Sequence, residues 1–263
     1  CCTASYPVGG MSAFINGMEA RALKSGVRIF KGEPVIEIDK GFGARYRIST
    51  TNYEVRANKI VIAAAPEGFK WVGGAVAEQI KAQAQFQDLI GVKVVTVAQW
   101  WPTAWWQTAG ITERRAWTTE HCFNALEIPV NAYAADQKVT RTVYDDSYAC
   151  TAFWEATAKR GTAAVEAEIK RGLAYMYPGV TIPNPVKTHV QLWPAAWYFV
   201  KAGSPYSNAD IAQWALKPLA GEDISLVGDG YNPQRAGWSD GAYKSSINSL
   251  NANFGMNLPN ATA

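Results

Sequence analysis

Ile224-Ser225-Leu226-Val227-Gly228-Asp229-Gly230, followed shortly by Ala236-Gly237-Trp238-Ser239-Asp240-Gly241-Ala242, is the stretch that decides the fold. A short apolar run reads as a strand, a Gly-Asp pair ends it, and a second glycine-bracketed segment opens a helix over 238–252. Glycines let a backbone approach a ligand closely. The N–H groups of a helix start attract electron-rich oxygens, and an acidic residue just after a strand can accept from ribose-type hydroxyls. By physics alone, the same segment is equally well an ordinary strand, loop and capped helix.

Upstream, residues 10–25 read as a helix, with Met11, Ile15, Met18 and Ala22 on one face, Ser12 as its cap and Gly26 at its end. Short β-like runs follow at 27–30, 34–39, 45–49, 53–56 and 59–64, punctuated by Gly32, Gly41 and Gly43. The continuous run Ile60-Val61-Ile62-Ala63 suits a strand buried on both faces, as in a parallel sheet, and Pro66 stops it. Residues 74–84 look helical and 91–98 form the next clear strand. Trp100, Trp101, Trp105 and Trp106 come next, broken by Pro102, and residues 107–150 carry a mixed pattern that assigns no element. Residues 162–176 make an amphipathic helix with Val165, Ile169, Leu173 and Met176 on one face. Pro178, Pro183 and Pro185 mark a linker, and 186–200 read as strand material around a kink at Pro194. The outer parts are therefore α/β, and the middle is an insertion of α+β texture. A chain that leaves a domain, builds a second and returns places a cleft between them, where ligand sites are favoured.

The 263 residues suffice for one large domain or two small ones. A hydrophobic content of 48% against 18% charged excludes a disordered chain. No apolar run approaches the roughly 20 residues that span a bilayer. The 25 basic and 22 acidic residues are spread without a block, which argues against a nucleic-acid partner. Eleven Trp fit either an aromatic core or an aromatic-walled pocket, and composition does not choose. The start, Cys1-Cys2-Thr3, has neither an initiator Met nor a charged-then-apolar leader and reads as a processed or truncated end. Without a CxxC pair, and with His121 and His189 far apart, the sequence argues against zinc. Whether Cys122 and Cys150 pair is open. The sequon Asn260-Ala261-Thr262 tilts the expectation towards secretion or an organelle.

The C-terminal segment resembles the flavin motif of the flavin-dependent amine oxidase family, which includes monoamine, polyamine and L-amino-acid oxidases. That motif is a strand, Gly and an acidic residue, then Gly-aromatic-x-acidic-Gly-Ala opening the last helix; Gly228-Asp229 and Gly237-Trp238-Ser239-Asp240-Gly241-Ala242 match it. Other segments follow in family order. Tyr6-Pro7-Val8-Gly9-Gly10-Met11-Ser12 is similar to the family's helix entry, and Glu33-Pro34-Val35-Ile36-Glu37-Ile38 to the strand whose Val backbone contacts adenine. Lys59-Ile60-Val61-Ile62-Ala63-Ala64-Ala65-Pro66 resembles a further family strand. Ile90-Gly91-Val92-Lys93-Val94-Val95-Thr96-Val97 is similar to the strand whose lysine reaches flavin N5 through a water, with Lys93 at that position. The plain alternative is a solvent-facing strand lysine. Gln191-Leu192-Trp193-Pro194-Ala195-Ala196-Trp197-Tyr198 falls where the family places a second cage aromatic: Trp197, with Tyr198 in reserve, or else a core tryptophan.

The resemblance implies part of an FAD-binding doubly wound domain at 1–85, an inserted substrate-binding domain of mixed sheet and helices at 86–200, and a return to the FAD domain at 201–263. It implies Val35, Gly228, Asp229, Gly237, Trp238, Ser239 and Ala242 as cofactor contacts. Lys93, Trp238, Trp197 and Tyr198 would serve the chemistry. Ala195 and Ala196 stand where some monoamine oxidases carry a flavin-linking cysteine, which implies non-covalent FAD. The family's N-terminal Gly-x-Gly-x-x-Gly is missing; Gly41-Phe42-Gly43-Ala44-Arg45-Tyr46 lacks the third glycine and precedes a strand. The implied partner is an N-terminal chain carrying that fingerprint, cleaved or separately made, and a homo-oligomer of the assembled enzyme is left open. The implied reaction oxidises an amine or L-amino acid to an imine, which water hydrolyses, while O2 becomes hydrogen peroxide. Two rivals stand beside it: a non-catalytic Trp-rich ligand-binding protein and a catalytically silent flavoprotein.

Overall fold

In the computed structural model, which describes residues 11–113, 115–118, 121–128, 138–232, 234 and 237–259, the chain divides into two units. The first takes the residues up to Ala57 together with Val72–Ala77; the second takes Asn58–Trp71 and the residues from Glu78 onward. Residues 6–10 of the N-terminal motif and the sequon at Asn260 lie outside the described residues.

The first unit begins with α1 (Met11–Lys24), followed by an antiparallel meander of β1 (Val35–Lys40), β2 (Tyr46–Thr50) and β3 (Glu54–Ala57). The helix forms where its spacing predicts, but its apolar face is not buried: Met11, Ile15 and Met18 are each more than half exposed. Residues 27–30, read as a strand from their β-branched and aromatic content, are not one. Propensity without a ladder partner does not make a strand. Ile38 and Tyr46 are buried on the meander. Asp39 Oδ1 accepts the N–H of Ala75 at 2.6 Å, at the start of α3 (Ala75–Lys81), while Oδ2 takes Arg47 at 2.8 Å. The Ala75 N–H, then Arg47, holds the Asp39 carboxyl below its ordinary pKa.

The second unit is built on a five-stranded sheet. Its strand β5 (Leu89–Trp100) lies between β8 (Val139–Asp145) and the edge strand β9 (Lys187–Val200), with β7 (Phe123–Glu127) and β6 (Arg115–Thr118) beyond β8. The pairings are antiparallel. Val95 and Val97 of β5 join Val143, Trp154, Ile169 and Leu173 in one buried cluster, so α6 (Tyr148–Lys159) and α7 (Thr162–Met176) share the sheet's core. Val165, Ile169 and Leu173 are all fully buried, as a four-residue spacing on one helix face requires. Among its described residues, the stretch 107–150 thus holds β6, β7, β8 and the start of α6. The tryptophans divide: Trp101, Trp105, Trp106 and Trp154 are core, whereas Trp71, Trp193 and Trp238 are exposed. Cys122 and Cys150 form a disulfide with Cα atoms 5.2 Å apart, joining the turn before β7 to α6.

Outside this sheet, β4 (Ile60–Ile62) pairs in parallel with β10 (Ile224–Leu226). The burial on both faces expected of β4 is not found, since Val61 is exposed; its partner β10 is the buried strand, with all three residues covered. Between α8 (Asn208–Leu216) and α9 (Ser239–Phe254), the described residues form β10 and a 3-10 turn, Asp229–Tyr231. Among the described residues, no helix is long and apolar enough to cross a membrane.

Candidate functional site

The Gly-Asp turn is held from beneath by serines. Ser225 and Ser249 hydroxyls meet at 2.6 Å, tying β10 to α9, and Gly228 N–H donates to Ser245 Oγ at 2.9 Å. Ser245 in turn donates to Ala242 O at 2.8 Å. These bonds fix where the chain leaves β10 relative to the start of α9. Asp229 Oδ2 then accepts the N–H of Gly237 at 3.2 Å and closes the loop. Gly237 has φ of +82°, in the left-handed region that a side chain disfavours. Trp238 occupies the N-cap position of α9 but supplies no side-chain hydrogen bond, so the helix opens without a side-chain cap. The Trp238 ring is 65% exposed. Ser239 opens α9 beside it, and Ala242 N–H bonds back to Trp238 O.

Strand β9 delivers the other half. A Cβ added at Gly237 would stand 3.4 Å from Trp197 Cβ, and one added at Gly230 would stand 3.2 Å from Tyr198 Cβ. Trp197 and Tyr198 therefore press on the two ends of the glycine loop from successive positions of one strand. Trp197 is half-buried. Tyr198 is buried, and its hydroxyl accepts the N–H of Glu67 at 3.1 Å, at the start of α2 (Pro66–Phe69). Burial raises its pKa. Among the described residues, no ring contact joins Trp197 to Trp238.

Lys93 sits one residue past Val92, the register partner of Trp197. Val94 pairs with Trp193, so three residues of β9, Pro194-Ala195-Ala196, face the single Lys93. Proline cannot donate to a ladder, and the bulge absorbs it. The expected kink at Pro194 is this bulge. Lys93 is largely exposed although β5 is an interior strand, and its Nζ lies 3.9 Å from Glu155 Oε2 of α6. The structure thus brings the loop of Gly228, Asp229 and Gly237, which leads into Trp238, Ser239 and Ala242, against Trp197 and Tyr198; Lys93 is next along β5 to the register partner of Trp197, with its Nζ directed to Glu155 of α6. Val35 lies on β1 in the first unit, 40% exposed.

Two members escaped sequence reading. Glu67 contributes through its backbone, which carries no sequence signal. Tyr231 is buried in the 3-10 turn, and its hydroxyl has no partner among the described residues. Burial, then Tyr198 and Asp229 nearby, raises its pKa above the ordinary tyrosine value. An orphaned buried hydroxyl, a tight glycine loop and a helix start without a side-chain cap together suit a ligand rich in hydrogen-bonding oxygen and nitrogen.

Comparison with known proteins gives a family and a fold. Residues 2–249 match the family described as flavin containing amine oxidoreductase. A comparison with curated proteins finds no match. Among solved structures, cyclohexylamine oxidase from Brevibacterium oxydans IH-35A is 15% identical with a TM-score of 0.64, over 84% of this chain and 48% of that one. A double mutant of putrescine oxidase, from a structure-based redesign of its cofactor binding, is 15% identical with a TM-score of 0.65, over 93% of this chain and 53% of that one. The chain spans about half the length of these structures.

Proposed function

The chain belongs to the flavin-containing amine oxidoreductase family, and on that premise we propose that it carries the ring-facing part of an enzyme that oxidises an amine or L-amino acid with non-covalently bound FAD. The observation that carries this reading is the meeting of Trp197 and Tyr198 with the Gly228–Trp238 loop at the start of α9. When bound, the flavin supplies the acceptor for a hydride equivalent from the amine carbon and passes the electron pair to O2, giving hydrogen peroxide. The chain's own residues do the rest. Asp229 and the loop backbone would hold the cofactor's polar chain, and the start of α9, with Ser239 and Ala242, would face its ring. Val35 would meet the adenine. Trp238 and Trp197 would flank the amine, strip its water and aim its carbon. Lys93 would hold the water that hydrolyses the imine to a carbonyl product and ammonia. Ala195 and Ala196 offer no nucleophile for a covalent link.

Residues 1–85 and 201–263 then serve a doubly wound FAD domain, and 86–200 the substrate side. The proposed partner is an N-terminal chain carrying a Gly-x-Gly-x-x-Gly fingerprint, which would complete the FAD site. A peroxide-releasing enzyme with the Cys122–Cys150 disulfide suits an oxidising, secreted or organellar compartment.

Co-expression with that N-terminal portion tests the reading. The purified assembly should be yellow, release its flavin on denaturation and produce peroxide with an amine or amino acid. Trp238→Ala and Trp197→Ala should each lower kcat/KM by about 100-fold, near 2.7 kcal/mol of transition-state stabilisation, with flavin still bound. A colourless assembly, or full turnover in both variants, would sink it.

A further inference from the structure

At the opposite end of β5 from the candidate site, six side chains form one hydrogen-bonded file through the core. Trp101 Nε1 donates to Thr140 Oγ1 at 2.9 Å, Thr140 and Thr142 hydroxyls meet at 2.7 Å, and Thr142 donates to Gln99 Oε1 at 3.0 Å. Gln99 Nε2 continues to Thr188 Oγ1 at 3.3 Å, and Thr188 donates to Glu166 Oε1 at 2.7 Å. A hydroxyl has one proton to give. Since Thr142 spends its proton on Gln99, Thr140 must donate to Thr142, and the whole file runs one way. Every dipole points at the Glu166 carboxylate. Gln99, Thr140 and Thr142 are all essentially fully buried, so the file is rigid and its end is fixed in place.

That end opens into a cavity of about 160 Å3 whose lining includes Gln99, Trp101, Glu166, Lys170, Pro183 and Asn184. Among the described residues, Glu166 Oε2 has no partner, and Glu166 forms no ion pair. Lys170 lies one turn further along α7, and among the described residues its Nζ has the neutral Asn184 Oδ1 as its one partner, at 3.3 Å. An i, i+4 Glu–Lys pair on one helix face would ordinarily meet. Here the file holds the carboxylate and Asn184 holds the ammonium, and the two charges line one cavity apart. Trp101 and Pro183 supply apolar wall between them.

We propose that this cavity binds a small zwitterion of the α-amino-acid class, its ammonium on Glu166 Oε2 and its carboxylate on Lys170. The two opposite charges favour a zwitterion over a simple amine or a simple acid, since either of those would engage only one of them. The site lies seven residues along β5 from the Trp197 register position, roughly 23 Å at the rise of a strand. It is therefore separate from the proposed chemistry and does not depend on flavin.

The test is an NMR titration of the full flavin-free chain with L-alanine, propylamine and propionate, following indole N–H resonances. L-Alanine should shift the Trp101 indole saturably. Propylamine and propionate should bind at least about tenfold more weakly. Glu166→Gln keeps an acceptor for Thr188 but loses the charge, and Lys170→Met alters an exposed position that the fold does not need. Each should weaken L-alanine about tenfold or more without lowering the melting temperature. Absence of a saturable Trp101 shift, equal binding of propylamine or propionate, or unchanged affinity in both variants overturns the proposal. So does a response confined to Trp197 and Trp238, which would place the ligand at the other site.

Discussion

Gly91 shows how far a single residue's role depends on a distant segment. In sequence it opens a valine-rich strand and looks like a boundary marker. In the structure, a Cβ there would stand 2.4 Å from Ala195 Cβ and 3.2 Å from the Tyr198 ring, because the β9 bulge folds across it. Gly91→Ala should therefore cost about 1–3 kcal/mol through overpacking, read as a lowered denaturant midpoint; an unchanged midpoint would mean the bulge is soft. Asp88 is a second case. It is buried, and Lys201 Nζ at 2.5 Å and Ser204 Oγ at 2.5 Å hold it ionised. Lys201 first, then Ser204, lowers its pKa in the folded state. Its stabilising contribution is thus complete above the unfolded value, about 3.9, and is lost as pH falls through the lower folded one. Asp88→Asn should flatten the loss of melting temperature between pH 5 and pH 3, and an equal slope in both proteins would refute this. The residues that sequence did reveal, Gly228-Asp229 and Gly237-Trp238, lie in one short stretch where spacing carries the geometry. Gly91, Glu67, Tyr231 and Glu166 act through pairings between distant segments, which no local pattern records.

At the scale of elements, the same division holds. β5 was legible from its valine-rich run, and α7 because its apolar residues keep a helical period. Helix α6 was not, since two of its three buried positions are Thr151 and Thr157, which read as polar, and only Trp154 marks the face. Helix α8 announces itself mainly by the Ser207–Asp210 capping box, a short-range signal easily taken for a loop. The disulfide gives α6 a support that its sequence hides. It closes a 28-residue separation, and Trp154 Nε1 donates to Cys122 O at 2.8 Å beside it. Loop-closure entropy assigns such a link about 3–4 kcal/mol. Cys150→Ala should lose about that much unfolding free energy, and added reductant should lower wild-type stability to match while leaving the variant unmoved. A reductant-insensitive wild type would show that the fold does not rely on the bond.

For the whole molecule, the parallel pairing of β4 with β10 has a kinetic consequence. Ile60 and Ile224 are register partners across roughly 160 intervening residues. The contact is three residues long, so little enthalpy offsets the entropy of closing so large a loop until the five-stranded sheet has already drawn the ends together. The pairing should therefore form after the rate-limiting step. Ser225→Ala, which removes the 2.6 Å contact to Ser249, should speed unfolding and leave the refolding rate nearly unchanged in stopped-flow experiments; a matching slowdown of refolding would contradict that order. The glycine loop follows β10 directly, so it should take its shape only once this late pairing has formed. On the proposed function, a newly made polypeptide would gain its flavin-facing loop only after the folding of its middle, and a chain stalled there would carry no half-built centre.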